Sequence, residues 1–328
     1  MKPRVVLIGT GGTIASRYDE KLGRAVPSES AEDLVAMLPQ LRDMAELELD
    51  NFASVPSFDM SPGFALELAG RVNDTLARDD VSGVVVTQGT DTLEETCYLA
   101  DLLLGGEKPA VFTGAQRMPD DPVPDGPGNI MDSVAVAASP EARGLGAVVC
   151  FNGRVHAARD VTKVHASALE TFQSYDHGAL GEVDGGRVVI HRRPVLRRAF
   201  AVDRLEERVD LIRLSMGSDA RLVDAAVAGG AAGLVIEAFG RGNGPTGLTE
   251  PLRRAVARGI PVVVTSRCPA GRVKPIYGGG GGGRDLEDAG VVFAGDLKGP
   301  KARVLLMVLL ADPATRDRVA EIVHELAP

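Results

Sequence analysis

Tryptophan is absent from the 328 residues, aromatic side chains make up only 4%, and cysteine occurs three times. Cys97, Cys150 and Cys268 are odd in number and widely spaced, which excludes a disulfide framework and predicts three reduced, buried thiols. The five histidines form no metal-spaced pair, and neither a Cys-x-x-Cys nor a His-Glu-x-x-His pattern occurs, so no metal is expected and any hydrolysis should run without one. A basic excess is missing too. Lys and Arg number 36 against 45 Asp and Glu, and the net charge of -9 repels phosphate backbones, so nucleic acid is not expected as a main partner. No window approaches the ~20 apolar residues that cross a bilayer, and no short apolar run with a small-residue cleavage site precedes the first strand. Neither a membrane span nor a leader is predicted, and the expected location is the cytoplasm.

What is present is an ordinary globular composition, with 45% hydrophobic residues in a length that suits one large or two medium domains. Short β-branched runs alternate with helical patterns: Val5 to Ile8, Val84 to Val86, Ala110 to Phe112, Val148 to Phe151, Leu234 to Ile236 and Val262 to Val264. That alternation predicts an α/β fold with parallel strands joined by right-handed crossovers. Ser30-Ala31-Glu32-Asp33 reads as a capping box opening a helix through Leu34, Val35 and Leu38, and Leu66, Ala69, Val72 and Leu76 mark the next one. Asp184-Gly185-Gly186 between two apolar runs reads as a hairpin closing the first domain. The predicted organisation is an N-terminal catalytic domain over 1-190, a charged linker over 191-208 and a smaller α/β domain over 209-328. The latter ends in helices from Lys301 to Ala311 and from Pro313 to Leu326. Six consecutive glycines, Gly278 to Gly283, read as a mobile loop.

Polar or small residues stand at the predicted strand ends Thr10, Thr87, Thr113, Asn152, Glu237 and Ser266, where open parallel sheets bind ligands. Two of those ends carry hydroxyl-bearing glycine loops. Residues 4-16 run from a strand into Gly-Thr-Gly-Gly-Thr, and Gln88-Gly89-Thr90-Asp91-Thr92 repeats the arrangement after Val84 to Val86. A dinucleotide fingerprint would need glycine where Ile14 stands, and a P-loop would need Gly-Lys-Ser/Thr, which is absent. Thr13 alone reads equally as a helix-capping hydroxyl or a nucleophile, Thr90 and Asp91 also have a capping alternative, and Lys163 alone reads as a surface lysine.

Taken together, the motifs resemble the bacterial-type L-asparaginase and glutaminase family over nearly the whole chain. Thr10-Gly11-Gly12-Thr13-Ile14-Ala15 is similar to the family's first signature and Gly89-Thr90-Asp91-Thr92-Leu93-Glu94-Glu95-Thr96 to its second. Thr113-Gly114-Ala115-Gln116-Arg117, Asp125-Gly126-Pro127, Arg159-Asp160-Val161-Thr162-Lys163, Thr171-Phe172-Gln173-Ser174 and Lys301-Ala302-Arg303-Val304-Leu305-Leu306 extend the likeness in the family's order. The resemblance implies a larger doubly wound domain followed by a smaller α/β domain. It also implies an amidohydrolase without cofactor that splits the side-chain amide of L-asparagine through an acyl-enzyme, with Thr13 as nucleophile and Thr90, Asp91 and Lys163 as a triad. Gly12, Ser57, Phe58, Gly89, Thr90, Asp91 and Ala115 are implied as substrate contacts, with Asp91 on the substrate ammonium and Ser57 on its carboxylate. A homotetramer, or else a homodimer, is implied, with the site between subunits.

The sequence departs from the family's pattern in three places. Phe58 stands where many members have glutamine. The lid tyrosine has no clear match around Arg24-Ala25-Val26, leaving Tyr18 as the nearest candidate. The glycine run occupies the region that often supplies an acidic residue to a neighbouring subunit, where Tyr277, Arg284 or Asp285 could substitute. Asn243, in Gly240-Arg241-Gly242-Asn243-Gly244, resembles a second subunit-contact loop or is a plain β-turn. Three other readings stand beside asparagine hydrolysis: a glutaminase-asparaginase or other small-amide hydrolase, an asparagine or aspartate sensor without turnover, and the amidase subunit of a tRNA-dependent amidotransferase.

Overall fold

The computed structural model describes residues 2–27 and 29–328, with the side chains of residues 25–28 outside that description. Two compact units result, Met1–Ala199 and Phe200–Pro328. In the first, the apolar run after Pro3 forms β1 (Arg4–Gly9), and a small hairpin of β2 (Ser16–Asp19) and β3 (Arg24–Pro27) follows. The capping box at Ser30 is present, with Asp33 closing it, but α1 (Ala31–Ala36) is short. Leu38 lies beyond it, before α2 (Leu41–Met44), because Pro39 cannot continue the helix. Then come β4 (Glu46–Asn51), α3 (Pro62–Ala77), β5 (Val81–Thr87), α4 (Leu93–Leu103), β6 (Ala110–Thr113), α5 (Gly126–Ala138) and β7 (Ala147–Phe151). In α3 the buried stripe is Ala65, Leu68, Ala69, Val72 and Leu76, so Leu68 takes the core position expected of Leu66.

The remaining strands of this unit are β8 (Arg154–Ala157), β9 (Thr162–Lys163), β10 (Phe172–Gln173), β11 (Gly181–Asp184) and β12 (Arg187–Ile190). The principal sheet has the order β12-β11-β8-β7-β6-β5-β1-β4. The run from β4 to β7 is parallel, and β8, β11 and β12 are added antiparallel. Val5 to Ile8 and Val84 to Val86 are at most 1% exposed, as strands covered on both faces must be. Fully burying each such side chain contributes ~1.5–3 kcal/mol. One face packs on Leu34, Leu41, Ile130 and Val134 of α1, α2 and α5, while α3 and α4 pack on each other and against β5 and β7. The chain leaves β1 to one side for β4 and returns to its other side for β5, so the strand order reverses between β1 and β5. In such sheets the crevice outside the carboxyl ends at this reversal is the ligand site.

The expected hairpin at Gly185-Gly186 is present, and φ of 56° and 80° at its two glycines explains their selection. Residues 191–208 have no regular structure. Arg192 donates to the Ala179 carbonyl at 2.7 Å, Arg193 to that of Glu141 at 2.8 Å, and Arg197 Nε to the Asp101 carboxylate at 2.8 Å. Asp101 also accepts from the Ala147 amide, which ties α4 to the start of β7. Cys97 and Cys150 are buried, and burial pushes the Cys150 thiol up to about 12. Cys268 is exposed, contrary to expectation, because it lies two residues beyond Ser266, the end of a strand in the second unit.

That unit is a parallel sheet of β13 (Val209–Arg213), β14 (Gly233–Ala238), β15 (Val262–Ser266) and β16 (Val292–Phe293), in that order. Its crossovers carry α6 (Arg221–Ala228), α7 (Thr249–Ala257) and α8 (Gly283–Asp288), and α9 (Gly299–Ala311) packs on β13, β14 and β15. The last predicted helix is two, α10 (Pro313–Arg316) and α11 (Val319–Leu326). The glycine run is held, not loose. Gly280 and Gly282 amides donate to Asp285 at 2.7 and 3.0 Å, Gly283 donates to Asn243 Oδ1 at 3.0 Å, and a methyl group on Gly282 would collide with the Tyr277 carbonyl. Glycine is selected here for close approach of main chain. Among the described residues, no helix is long and apolar enough to cross a membrane.

His156, on β8, is 3% exposed, with Nδ1 3.0 Å from Ser174 Oγ. Burial, and secondarily the Arg154 charge, pull it down to about 4 from 6.5. The unfolded chain therefore takes up this proton first as pH falls. The contribution is complete above about pH 6.5 and is lost as pH drops through about 4, on the order of 3 kcal/mol in all. Urea unfolding from pH 7 to 5 should show this slope in the native protein and a flatter one in His156→Gln.

Candidate active site

At the end of β1, Gly11 and Gly12 both have φ of 93°, a region open to glycine and strained for other residues. They deliver the chain into one 3-10 turn, Thr13–Ala15, closed by the Ala15 amide on the Gly12 carbonyl at 3.0 Å and by Ser16 Oγ on the same oxygen at 2.8 Å. Thr13 stands partly exposed on this turn. Thr10 does different work: its hydroxyl and its amide both donate to the Thr87 carbonyl, at 2.9 and 3.0 Å, fastening the end of β1 to the end of β5.

The second loop starts there. A methyl group on Gly12 would collide with the Gly89 nitrogen and Cα, and one on Gly89 would lie 2.6 Å from Ser57 Oγ. Three loops thus meet in close contact at the reversal point. Ser57 is 4% exposed, its Oγ accepting from the Asp91 amide at 3.2 Å and its carbonyl from Thr92 Oγ1 at 2.8 Å. Thr90 and Asp91 immediately precede α4, whose amino-terminal partial charge favours a carboxylate.

Lys163 joins them from 73 residues away. Its Nζ donates to Thr90 Oγ1 at 2.8 Å and to Asp91 Oδ1 at 2.7 Å. The lysine side chain is 15% exposed and that of Asp91 55%, so the group is closed at the lysine and open at the carboxylate. Two features position Lys163: the pairing of β9 with Phe172 in β10, and Glu94 in the first turn of α4, whose Oε1 accepts the Lys163 amide at 3.4 Å. Gln116, not singled out by the sequence, donates from Nε2 to Thr90 Oγ1 at 3.3 Å. Its only signal was membership of the Thr113–Arg117 motif.

Other expected residues take varied places. Ala115 is buried, 3.5 Å from where a Gly126 side chain would begin, and Phe58 is 72% exposed beside Ser57. Tyr18 is 52% exposed on the hairpin after Thr13, its amide bonded to Asp120 and its hydroxyl 4.0 Å from a methyl group built on Gly23. It forms no hydrogen bond with Thr13 or Thr90. The alternative lid position around Arg24-Ala25-Val26 falls partly on side chains outside the described residues. In the second unit Tyr277 is exposed, Arg284 pairs with Glu287 and Asp288, and Asp285 and Asn243 hold the glycine run. Among the described residues, no three His, Cys, Asp or Glu are grouped to hold a metal ion.

Residues 4–196 match the model described as Asparaginase, N-terminal, and residues 208–323 the Glutaminase/Asparaginase C-terminal domain. The chain belongs to the asparaginase family. It is 36% identical to an L-asparaginase of Bacillus licheniformis, covering 95% of this chain and 96% of that one, and 39% identical to a probable L-asparaginase of Deinococcus radiodurans, covering 98% and 97%. The crystal structure of a probable cytoplasmic L-asparaginase from Campylobacter jejuni superposes with a TM-score of 0.87 at 30% identity, over 98% of this chain and 99% of that one. Family members of another kind also match: a glutamyl-tRNA(Gln) amidotransferase component of Methanobrevibacter smithii is 32% identical over 99% of this chain but only 76% of its own length.

The loop contact makes a direct prediction. Gly12→Ala combines a left-handed φ with a main-chain collision and should cost about 2–4 kcal/mol in urea unfolding, whereas Gly70→Ala, with open space on α3, should be neutral or slightly stabilising.

Proposed function

We propose that the protein hydrolyses the side-chain amide of L-asparagine to L-aspartate and ammonia through a threonine acyl-enzyme. The observation that carries this reading is Lys163 Nζ bridging Thr90 Oγ1 and Asp91 Oδ1 at 2.8 and 2.7 Å, and the contact of Gly12, the residue before Thr13, with Gly89, the residue before Thr90, supports a shared site. A neutral hydroxyl is a weak nucleophile and needs a proton acceptor in hydrogen-bond reach. In this reading Thr13 Oγ attacks the amide carbon, the tetrahedral oxyanion is held by backbone amides of the two glycine loops, and collapse expels ammonia carrying the hydroxyl's proton. Water then attacks the ester and returns the threonine. The Thr90–Lys163–Asp91 group relays protons in both halves.

The open face of Asp91 suits an ammonium group. Ser57 Oγ, which already accepts the Asp91 amide, keeps its own proton to offer a carboxylate. The names of the Bacillus and Deinococcus relatives support asparagine as substrate. Phe58 supplies no side-chain hydrogen bond to that carboxylate, and glutamine differs by one methylene, worth ~1–3 kcal/mol, so preference between the two amides is set by small differences. A cytoplasmic homotetramer, or homodimer, completes the proposal, supported by the Campylobacter enzyme's description as cytoplasmic and by the family resemblance. Light scattering checks the assembly.

Ammonia release measured over L-asparagine, L-glutamine and their D-forms should be highest for L-asparagine and be abolished in Thr13→Ala. A sensor would bind aspartate with no turnover. Lys163→Met should lower kcat by roughly 10³-fold or more while aspartate affinity changes little. Equal losses in both would make the lysine structural.

A further inference from the structure

We propose that Gln116 is a catalytic residue, an amide donor that stabilises charge on Thr90 Oγ1 as that hydroxyl gives up its proton. The inference rests on the proposed amide hydrolysis and deepens it by adding a fifth side chain to the reacting group.

A threonine oxygen has two lone pairs and one proton. In this structure both lone pairs face donors, Lys163 Nζ at 2.8 Å and Gln116 Nε2 at 3.3 Å. The two donors differ in kind. For Lys163 to accept the Thr90 proton it must arrive without its own, so its donation to the oxygen exists only after the transfer, through the N–H that the transfer creates. The Gln116 amide does not titrate in water's range, so its N–H remains directed at Oγ1 throughout the transfer. It is therefore the donor already in place before the transfer, and it adds to the lysine's new N–H in stabilising the oxygen as negative charge develops there.

The loop carrying Gln116 is fixed before substrate arrives. Asp125 accepts the Gln116 main-chain N–H through both carboxylate oxygens, at 3.2 and 3.0 Å, and the Arg117 main-chain N–H at 2.9 Å. Asn129 in turn donates to Asp125 at 3.2 Å and to the Gly114 carbonyl at 2.9 Å, and its own Oδ1 accepts the Asn152 amide. A methyl group on Gly114 would collide with the Gln88 carbonyl and sit 3.3 Å from Thr90 Cγ2, so this loop lies directly against the second glycine loop. A loop fixed in this way keeps small the reorganisation needed to aim the Gln116 side chain during the reaction.

Two variants test the proposal in the full-length enzyme. Gln116→Met keeps the length and removes the donor. It should lower kcat for the preferred amide roughly 10-fold, leave KM within about 2-fold, and move the acid limb of the kcat–pH profile upward. Gln116→Glu replaces the donor by a carboxylate, which opposes charge on Thr90 and favours the protonated lysine. Its loss and its shift in the same limb should be larger than those of the Met variant. Thermal unfolding of both should match the native protein. Unchanged kcat and pH profiles in both variants, or a loss confined to KM, would overturn the role of Gln116 in an active enzyme. Absence of ammonia release in the native protein itself would instead overturn the underlying function.

Discussion

The site depends on main chain passing at van der Waals distance over main chain, which only glycine permits. Gly12 lies on the main chain of Gly89, Gly114 on the Gln88 carbonyl, and Gly89 on the Ser57 side chain, so the loops after β1, β4, β5 and β6 form one stack at the point where the strand order reverses. Side chains are carried into place by that stack. Thr13 rides on the turn that follows Gly12, Thr90 and Asp91 on the loop that follows Gly89, and Gln116 on the loop that follows Gly114. A single added methyl group at Gly12 or Gly89 would displace the turn that carries Thr13 and the loop that carries Thr90 and Asp91 together.

Polar side chains buried behind the stack keep it in register. Thr10 bonds the Thr87 carbonyl, Thr113 the Cys150 carbonyl, and Asn129 the Gly114 carbonyl, at 2.9, 2.7 and 2.9 Å. Each adds a side-chain donor to a carbonyl at the carboxyl edge of the sheet, and at Thr87 it joins the Thr10 main-chain amide on the same oxygen. The same edge therefore serves both requirements of a hydrolase: rigid backing, and hydroxyl, amide and ammonium groups converging on its open side.

Much of this was legible in the sequence. Strands buried on both faces must be continuously apolar, so Val5 to Ile8, Val84 to Val86 and Val262 to Val264 announced themselves, and Ser30 with Asp33 marked a helix start through side-chain chemistry alone. Lys163 was found through its motif neighbours, since nothing in an isolated lysine tells that its nitrogen meets residues 73 positions earlier. Gln116 stayed hidden for the same reason: an amide carries no periodicity. The glycine run misled because composition reports conformational freedom and not the contacts that remove it; Asp285 and Asn243 supply those contacts from sequence-near and sequence-distant positions alike. The break between α10 and α11 was lost because the apolar pattern spans it while the capping by Asp312 and the turn at Asp317 do not disturb it.

The β1–β5 fastening has a consequence for the history of each molecule. Thr10 and Thr87 are 77 residues apart, with β4 and α3 synthesised between them, so their pairing closes a long loop before it returns any contact energy. Lys163 must then be recruited across a comparable span. Native helices and strands can therefore form before the Thr90, Asp91 and Lys163 side chains are brought together, because that meeting waits on non-local pairings.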